Sequence, residues 1–356
     1  MAETQAYENR VKARRLERGW SQAELARRAG ISRTAVSAVE VNRLVPSVAA
    51  ALFLARALGC SVEELFGAVR PATGEPTWAW PPPVDSCRYW RVRVGGRSLL
   101  YPVEPTPLGV IAHDGVYRGG EFHEDGGPPA AATLVMASCD PAAGLLAAEF
   151  ARATGFRLLV LPRSSGQALL LLKQGLIHVA GVHLSTPGDG GGNVVAVRGH
   201  FTEDVSLLRV ARWEEGLALS PGLTVGSVVS ALKAKLAWVG REPGSGARQC
   251  LDQLLTGRPV PRRIAFDHRG VADAIRCGWA EAGVCVRLAS EEAGLRFLGI
   301  RVEDYDLCFP SPGENDPLIQ ALIRVVRSTA YRRVLGELPG YDTSGNGELE
   351  RVSGQA

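Results

Sequence analysis

The sequence predicts three consecutive parts: an all-α domain at the N-terminus, a small β-rich connecting segment, and a large α/β domain of two lobes. Three observations carry this. Short runs with apolar residues at helical spacing fill residues 5–66. A stretch crowded with proline and tryptophan interrupts the chain from residue 71. From residue 133 onward, apolar strand-like runs alternate with helical ones, the pattern of parallel sheets covered by helices.

At 356 residues, 46% hydrophobic and 22% charged, the chain has the composition of a globular protein and the length of two or three domains. Its net charge of +3 is unevenly placed. Residues 1–70 carry eleven basic against seven acidic side chains, while the remaining 286 residues carry 29 and 30. A basic terminal module implies a polyanionic partner. The opening MAETQAYENRVKARRLERGW lacks the apolar core of an export signal. The most apolar stretch, ALLLLKQGLIHVAGVHL, is interrupted by Lys173, Gln174 and His178 and is too short to cross a bilayer. Seven cysteines without a C-x-x-C pair fit buried thiols in a reducing compartment. A cytoplasmic protein without membrane attachment is expected. The six histidines show no metal-ligand spacing. His178 and His183, five apart on a strand-like run, should face opposite sides, so no metal ligands are expected.

In the first part, SQAELARRAG (21–30) opens with Ser21 as N-cap and Glu24 three residues on, a capping box, and Gly30 ends the helix. After a tight turn at Ile31, Ser32 caps a second helix, SRTAVSAVE. Ala23, Leu25 and Ala26 offer small apolar faces, and Val36 and Val39 turn inward. Two short helices joined this way form a helix-turn-helix. Arg33, Thr34 and Ser37 then point outward, residue types that reach base edges and phosphates.

The run from Leu16 through Trp20, Ser21, Gln22, Glu24, Leu25 and Ala26, with Gly30-Ile31-Ser32, Glu40, Pro46, Ala55 to Gly59 and Glu64-Leu65-Phe66, resembles the Xre/Cro–C1-type repressor helix-turn-helix. The resemblance implies a DNA-binding domain over residues 5–68 that reads a double-stranded operator as a homodimer on a pseudo-palindrome. It would place Gln22, Ser32, Arg33, Thr34, Ser37, Asn42 and Arg43 at the DNA. Val41 and Asn42 follow Glu40 where the family usually has glycine, which puts a different loop at the phosphate backbone.

Residues 69–84 read as a linker, since PATGEPTWAWPPPVDS cannot be helical. Over residues 85–132, RYWRVRVGGRSLLYPVE alternates as strand, Gly-Gly turn and strand, a hairpin, and PLGVIAHDGVYRGGEF supplies another strand pair. The HDG at 113–115 is expected to be a turn through Asp114 and Gly115.

The third part, residues 133–347, begins with strand TLVMAS and a helix with Pro141 in its first turn and Gly155 past its end. RLLVLP, IHVAGVHL, LRVARWEEGLALSPG, LKAKLAWVG, RRIAF and AGVCVRL follow as strands with helices between them. A final strand, YDLCFP, precedes one long helix, DPLIQALIRVVRSTAYRRVLGEL. Ligands of such folds sit at the carboxyl ends of the strands, where helix N-termini point. Three of these joints carry hydroxyls: Ser138, Ser164 with Ser165, and Ser245, the last flanked by Arg241 and Arg248. No carboxylate pair, Cys/His dyad or phosphate-binding G-x-x-x-x-G-K-[ST] accompanies them, so an anion binder rather than an enzyme is expected, with no cofactor.

The segments SCDPA from Ser138, SSGQALLLLKQGLIHVAGVHLS from Ser164, RWEEGL from Arg212, REPGSGAR from Arg241, EDYDL from Glu303 and GYDTSG from Gly340 resemble the periplasmic-binding-protein-like domain family. Members of that family are fused to DNA-binding modules or to molybdopterin-biosynthesis proteins and are related to molybdate- and tungstate-binding proteins. The resemblance implies a two-lobed, type II periplasmic-binding-protein-like domain with hinges near residues 200–212 and 286–300. The R-x-x-G-S-G element is also similar to a loop of tungstate and phosphate binders, which implies contacts from Arg241, Ser245, Gly246 and Ala247 to an oxyanion. Ala247 stands where that loop usually has threonine, and Gly188 to Gly192 form a loop richer in glycine than usual. The expected effector is molybdate or tungstate, held by Ser138, Ser164, Ser165, Arg241, Ser245, Gly246, Ala247 and Arg248. A small organic anion held by Arg241 and Arg248 is an alternative, as is a step of molybdenum-cofactor synthesis.

Overall fold

The computed structural model describes residues 9–41, 43–60, 62–66, 76–104, 112–184 and 192–354, without the side chains of residues 17, 63 and 64. The chain divides into two compact units between Thr73 and Gly74. Among the described residues no helix is long and apolar enough to cross a membrane.

The first unit contains α1 (Val11–Glu17), α2 (Gln22–Ala29), α3 (Arg33–Glu40), α4 (Val48–Leu58) and α5 (Val62–Phe66) around Val11, Leu25, Val36, Val39, Leu54 and Leu58. The Ser21 hydroxyl accepts the Glu24 N–H at 3.1 Å and Ser32 accepts that of Ala35 at 3.1 Å, satisfying backbone donors that each helix start leaves open. Gly30 closes α2 in the left-handed conformation. The expected capping box is only half formed. Glu24 turns its carboxylate to Arg27 and Arg28 instead of back to the cap, because two guanidiniums one turn on offer a stronger partner than one amide. Ala23 is exposed and adds nothing to the core.

The second unit opens with a five-stranded sheet of β1 (Thr77–Trp78), β2 (Cys87–Val94), β3 (Arg97–Pro102), β4 (Gly115–Arg118) and β5 (Glu121–Glu124), in the order β1-β3-β2-β4-β5. The β2–β3 hairpin turns through Gly95 and Gly96 at φ 55° and 80°, a pair of left-handed residues that favours glycine. Thr77–Trp78 pairs with β3, and Trp80 packs against Tyr101 at 5.3 Å, so part of the stretch read as linker is built into this sheet. The HDG expected to be a simple turn is a structural tie. Asp114 is buried, accepts both Arg157 Nη atoms at 2.6 Å, and accepts the Arg91 N–H at 2.8 Å.

The α/β region contains β6 (Thr133–Ser138), α6 (Ala143–Thr154), β7 (Arg157–Pro162), α7 (Ser165–Lys173), β8 (Val179–Val182), α8 (Gly192–Arg198) and β9 (Val205–Leu219). It continues with α9 (Val228–Lys233), β10 (Trp238–Arg241), α10 (Gly246–Leu254), β11 (Arg263–Ala265), α11 (His268–Arg276), β12 (Ala282–Val286) and α12 (Arg287–Glu292). After β13 (Arg296–Pro310) come α13 (Pro317–Val326), α14 (Thr329–Gly336), β14 (Tyr341–Asp342) and β15 (Leu349–Val352). The strand order is β11-β10-β12-β9-β13-β8-β6-β7. Parallel β7, β6 and β8 form the first lobe and parallel β11, β10 and β12 the second. The antiparallel pair β9 and β13, 15 residues each, runs through both lobes, joining β12 at one end and β8 at the other.

Three expectations are corrected here. The last strand begins at Arg296, far before YDLCFP, because alternating charges at Arg301 and Glu303 mask a strand whose core is polar. The long final helix is two, since Ser328 caps a second one by accepting the Tyr331 N–H at 3.1 Å. Pro141 precedes α6 rather than lying in its first turn. The crossovers between the lobes are continuous strands, with register shifts between Gly299 and Arg301 and between Tyr305 and Asp306.

A fragment beginning at Gly74 should therefore melt cooperatively, whereas one beginning at residue 85 loses β1 and both tryptophans and should melt several degrees lower. Differential scanning calorimetry of the two fragments checks this; equal melting temperatures would place residues 76–84 outside the folded unit.

Candidate functional site

The first lobe presents Ser138–Asp140, Ser164–Ser165 and His183 at the carboxyl ends of β6, β7 and β8. The second presents Arg241–Ser245 after β10 and Asp267–His268 after β11. Parallel strands aim the following loops to one side, which is why residues so distant in sequence meet in one cleft. The lobes are closed on each other. Gly166 N–H donates to the Gly244 carbonyl across the cleft at 3.0 Å. A Cβ on Gly246 would stand 2.4 Å from the His183 carbonyl oxygen, so only glycine permits this approach.

The hydroxyls expected to hold a ligand are each engaged within the protein. Ser138 Oγ lies 2.7 Å from the Tyr305 hydroxyl and accepts the Asp140 N–H. Ser164 caps α7 in a reciprocal box with Gln167, Ser165 accepts the His183 N–H at 3.1 Å, and Ser245 accepts the Arg248 N–H while donating to the Glu242 carbonyl. Ala247 is fully buried in the core beside Leu217 and Cys250. Arg248 pairs with Asp252 at 2.7 Å and donates to the Arg241 carbonyl. The carboxyl groups of Asp140 and Asp267 also line the pocket between these strand ends.

Among the described residues at these strand ends, two buried side-chain nitrogens have no hydrogen-bond partner. Arg241 is buried, with Nε and Nη2 on Glu242 at 2.8 and 2.9 Å, and its Nη1 has no partner. His268 accepts the Val286 N–H through Nδ1 at 3.3 Å, which leaves the hydrogen on Nε2, also buried and without a partner. Burial, then the charge of Arg241, keeps this imidazole neutral, well below the usual histidine value. His268 lines a small, partly open pocket of about 30 Å³ together with Ser138, Cys139, Asp140, Pro141 and Asp267. Burial pushes the Asp140 carboxyl up to about 6, against the opposing hydrogen bonds from the Tyr341 hydroxyl and the Ala142 N–H.

Sequence reasoning missed the floor of the cleft. Cys139 Sγ lies 3.0 Å from His183 Nε2, and His183 Nδ1 lies 3.0 Å from Glu303 Oε2, all three buried. The Cys/His dyad expected to be absent is present, assembled from β6, β8 and β13. Burial alone would lower the His183 value, but Cys139 and Glu303 outweigh it and raise it well above the ordinary one. Trp213 stacks on Tyr305 at 4.6 Å and donates to Glu303 at 3.4 Å. The signal was in hand, because the segments that carry the family resemblance contain most of these residues.

In the head, Ser32, Arg33, Thr34 and Arg43 are exposed and Ser37 is half-buried. Ser32 also caps α3. The Gln22 amide donates to Glu40 at 2.9 Å. Arg15 meets the same carboxylate at 2.6 and 3.0 Å, which ties α1, α2 and α3 together. Asn42 lies outside the described residues.

A family model described as "PBP superfamily domain" matches residues 147–327, and one described as "Helix-turn-helix" matches residues 11–65. The uncharacterized protein YvgK of Bacillus subtilis (strain 168) is 27% identical over 197 residues, 52% of this chain and 63% of YvgK, so the chain spans less than two thirds of that relative. An uncharacterized protein in the ferredoxin 2Fe-2S gene 5' region of Clostridium pasteurianum is 28% identical over 92 residues, 24% of this chain and 78% of that one. Among solved structures, a putative phosphate ABC transporter substrate-binding protein with bound phosphate from Clostridium perfringens is 10% identical, covering 59% of this chain and 99% of that one, with a TM-score of 0.48. The tungstate ABC transporter structure from Geobacter sulfurreducens is 14% identical, covering 58% and 98%, with a TM-score of 0.44.

Two outcomes follow from the closed cleft. Gly246→Ala should prop the lobes apart, seen as a larger radius of gyration in small-angle scattering; an unchanged radius would mean that Gly246 does not limit closure. Asp140 has a folded value above its unfolded one, so the stability it contributes is complete at low pH and lost as pH rises through about 6. The melting temperature should fall between about pH 4 and 6.5, and Asp140→Asn should remove about 3 kcal/mol of that dependence. A parallel pH profile for the two proteins would contradict it.

Proposed function

This chain belongs to the PBP superfamily domain family and carries a helix-turn-helix head, and from that pairing we propose a one-component transcriptional regulator whose α/β domain senses a small anion. The observation that carries the ligand class is the pair of open, buried donors, Arg241 Nη1 and His268 Nε2–H. A buried donor without an acceptor costs about 1–3 kcal/mol, so such groups are kept where an acceptor arrives. The small cavity beside His268 favours an oxyanion of few atoms over an amino acid. Together with the R-x-x-G-S-G element at Arg241, this makes molybdate or tungstate the proposed effector. The Asp140 carboxyl, with a value of about 6, can carry a proton and donate to such a ligand. The protein binds its effector without turning it over and acts in the cytoplasm, where the operator is.

At the operator, α3 is the reading helix, with Arg33 and Thr34 exposed on it and Arg43 at the backbone beyond it. The head works as a dimer in this proposal; its exposed apolar side chains Val45, Val48, Leu52 and Phe53 support that. Occupancy of the cleft changes the affinity of the head for DNA.

Replacing Arg33 by alanine should weaken operator binding by about 1–3 kcal/mol and relax base preference at one position, read by fluorescence anisotropy. Unchanged affinity would take α3 out of the reading role. In the cleft, Arg241→Lys keeps a charge for Glu242 but loses the open Nη1, and should weaken tungstate and molybdate binding about tenfold in calorimetric titration. Wild-type protein giving no heat with either oxyanion would remove the ligand assignment. Arg241→Ala is the poorer probe, since stranding buried Glu242 should itself destabilise the domain by about 3 kcal/mol.

A further inference from the structure

Cys139 is one of seven thiols, and its surroundings differ from those of the others. Its Sγ meets His183 Nε2 at 3.0 Å, and His183 is held from its far side by Glu303 at 3.0 Å. A nucleophile, a base and a carboxylate that orients the base stand in line. One ring nitrogen of His268 lies within 4.8 Å of both Cys139 Sγ and His183, and the open His268 donor borders the same cavity. Cys139 is only 6% exposed and lines a partly open pocket of about 30 Å³, which a molecule as small as hydrogen peroxide can enter.

A metal ion bound by Cys139, His183 and His268 is the rival reading of this cluster. The Val286 N–H that His268 Nδ1 accepts argues against it, because the hydrogen then sits on Nε2, where the lone pair for a metal would be needed. The neighbouring Arg241 charge, which already holds His268 neutral, opposes a second cation.

We propose that Cys139 is a peroxide-reactive thiol and that its oxidation closes the cleft to the effector. The Cys139 sulfur attacks one oxygen of hydrogen peroxide; the S–O bond forms as the O–O bond breaks. Sulfur gives up two electrons and becomes a sulfenic acid, and the peroxide is reduced. The departing hydroxide takes the proton shared by Cys139 and His183 and leaves as water. The new oxygen on sulfur then sits in the small cavity beside the donor of His268 and takes the place of the anion. That last consequence rests on the anion-pocket reading; the oxidation itself does not.

The test uses the full chain treated with hydrogen peroxide, quenched with catalase, and unfolded in dimedone and iodoacetamide for peptide mass mapping. Exposed Cys277 in the same chain is the internal reference. Cys139 should gain the dimedone adduct about a hundredfold faster than Cys277, and His183→Gln should remove most of that advantage. Wild-type Cys139 reacting no faster than Cys277 overturns the proposal without any need for a folded variant. Calorimetry with tungstate before and after oxidation reads the second half: binding heat lost on oxidation supports it, and heat unchanged with Cys139 fully oxidised overturns it. Protein that gives no heat even when reduced, yet oxidises quickly at Cys139, would sink the effector assignment and leave the reactive thiol standing.

Discussion

Both lobes hang on two long antiparallel strands, and a buried charge network sits where those strands pass between them. Arg301 on β13 faces Glu215 on β9 and lies 2.7 Å from it and 2.6 Å from Glu303. Glu303 in turn holds His183, which comes from the end of β8 in the first lobe. Arg301 also donates to the Gly246 carbonyl of the second lobe at 3.3 Å. Isolated buried charges are costly, and each here is tolerable only because the next is in place. Glu303 stays ionised against its burial because His183 and Arg301 surround it, while burial and the neighbouring Glu303 push the Glu215 carboxyl up to about 7. The register of β9 against β13 is thereby fixed at the point where the two strands pass from one lobe to the other.

That arrangement explains what could be read from the sequence and what could not. Helix starts were legible because capping is local: Ser21, Ser32, Ser164 and Ser245 each bond an amide three residues on. Capping uses a serine's lone pair and not its hydrogen, so a serine at a helix start can hold its cap and still donate to a ligand. The cleft's distinctive chemistry is nonlocal. Cys139 and Glu303 are separated by most of the domain, and only the parallel sheet and the returning β13 bring them to one histidine. No spacing rule on a single helix or strand could have found them. The length of β13 was hidden for a related reason, since its central residues are charged and pair with one another rather than filling an apolar core.

The head shows the opposite balance. Its fold follows from apolar spacing and caps, apart from Glu24 and Ala23, and Gln22 gives Glu40 a second donor beside Arg15. Burial alone would raise the Glu40 carboxyl, and these hydrogen bonds hold it below its ordinary value, so the carboxylate serves as an internal brace. What remains exposed on α3, Arg33 and Thr34, is free of such duties and available to a partner.

The central claim is that one chain couples an anion site to a DNA site, and coupling is measured most directly by thermodynamic linkage. A duplex selected by the full chain from a random pool would be titrated with and without saturating tungstate, and tungstate titrated with and without saturating duplex. The account predicts that each ligand changes the other's affinity, in the same direction and by the same factor. Tungstate that binds the cleft while leaving the DNA affinity unchanged would contradict it.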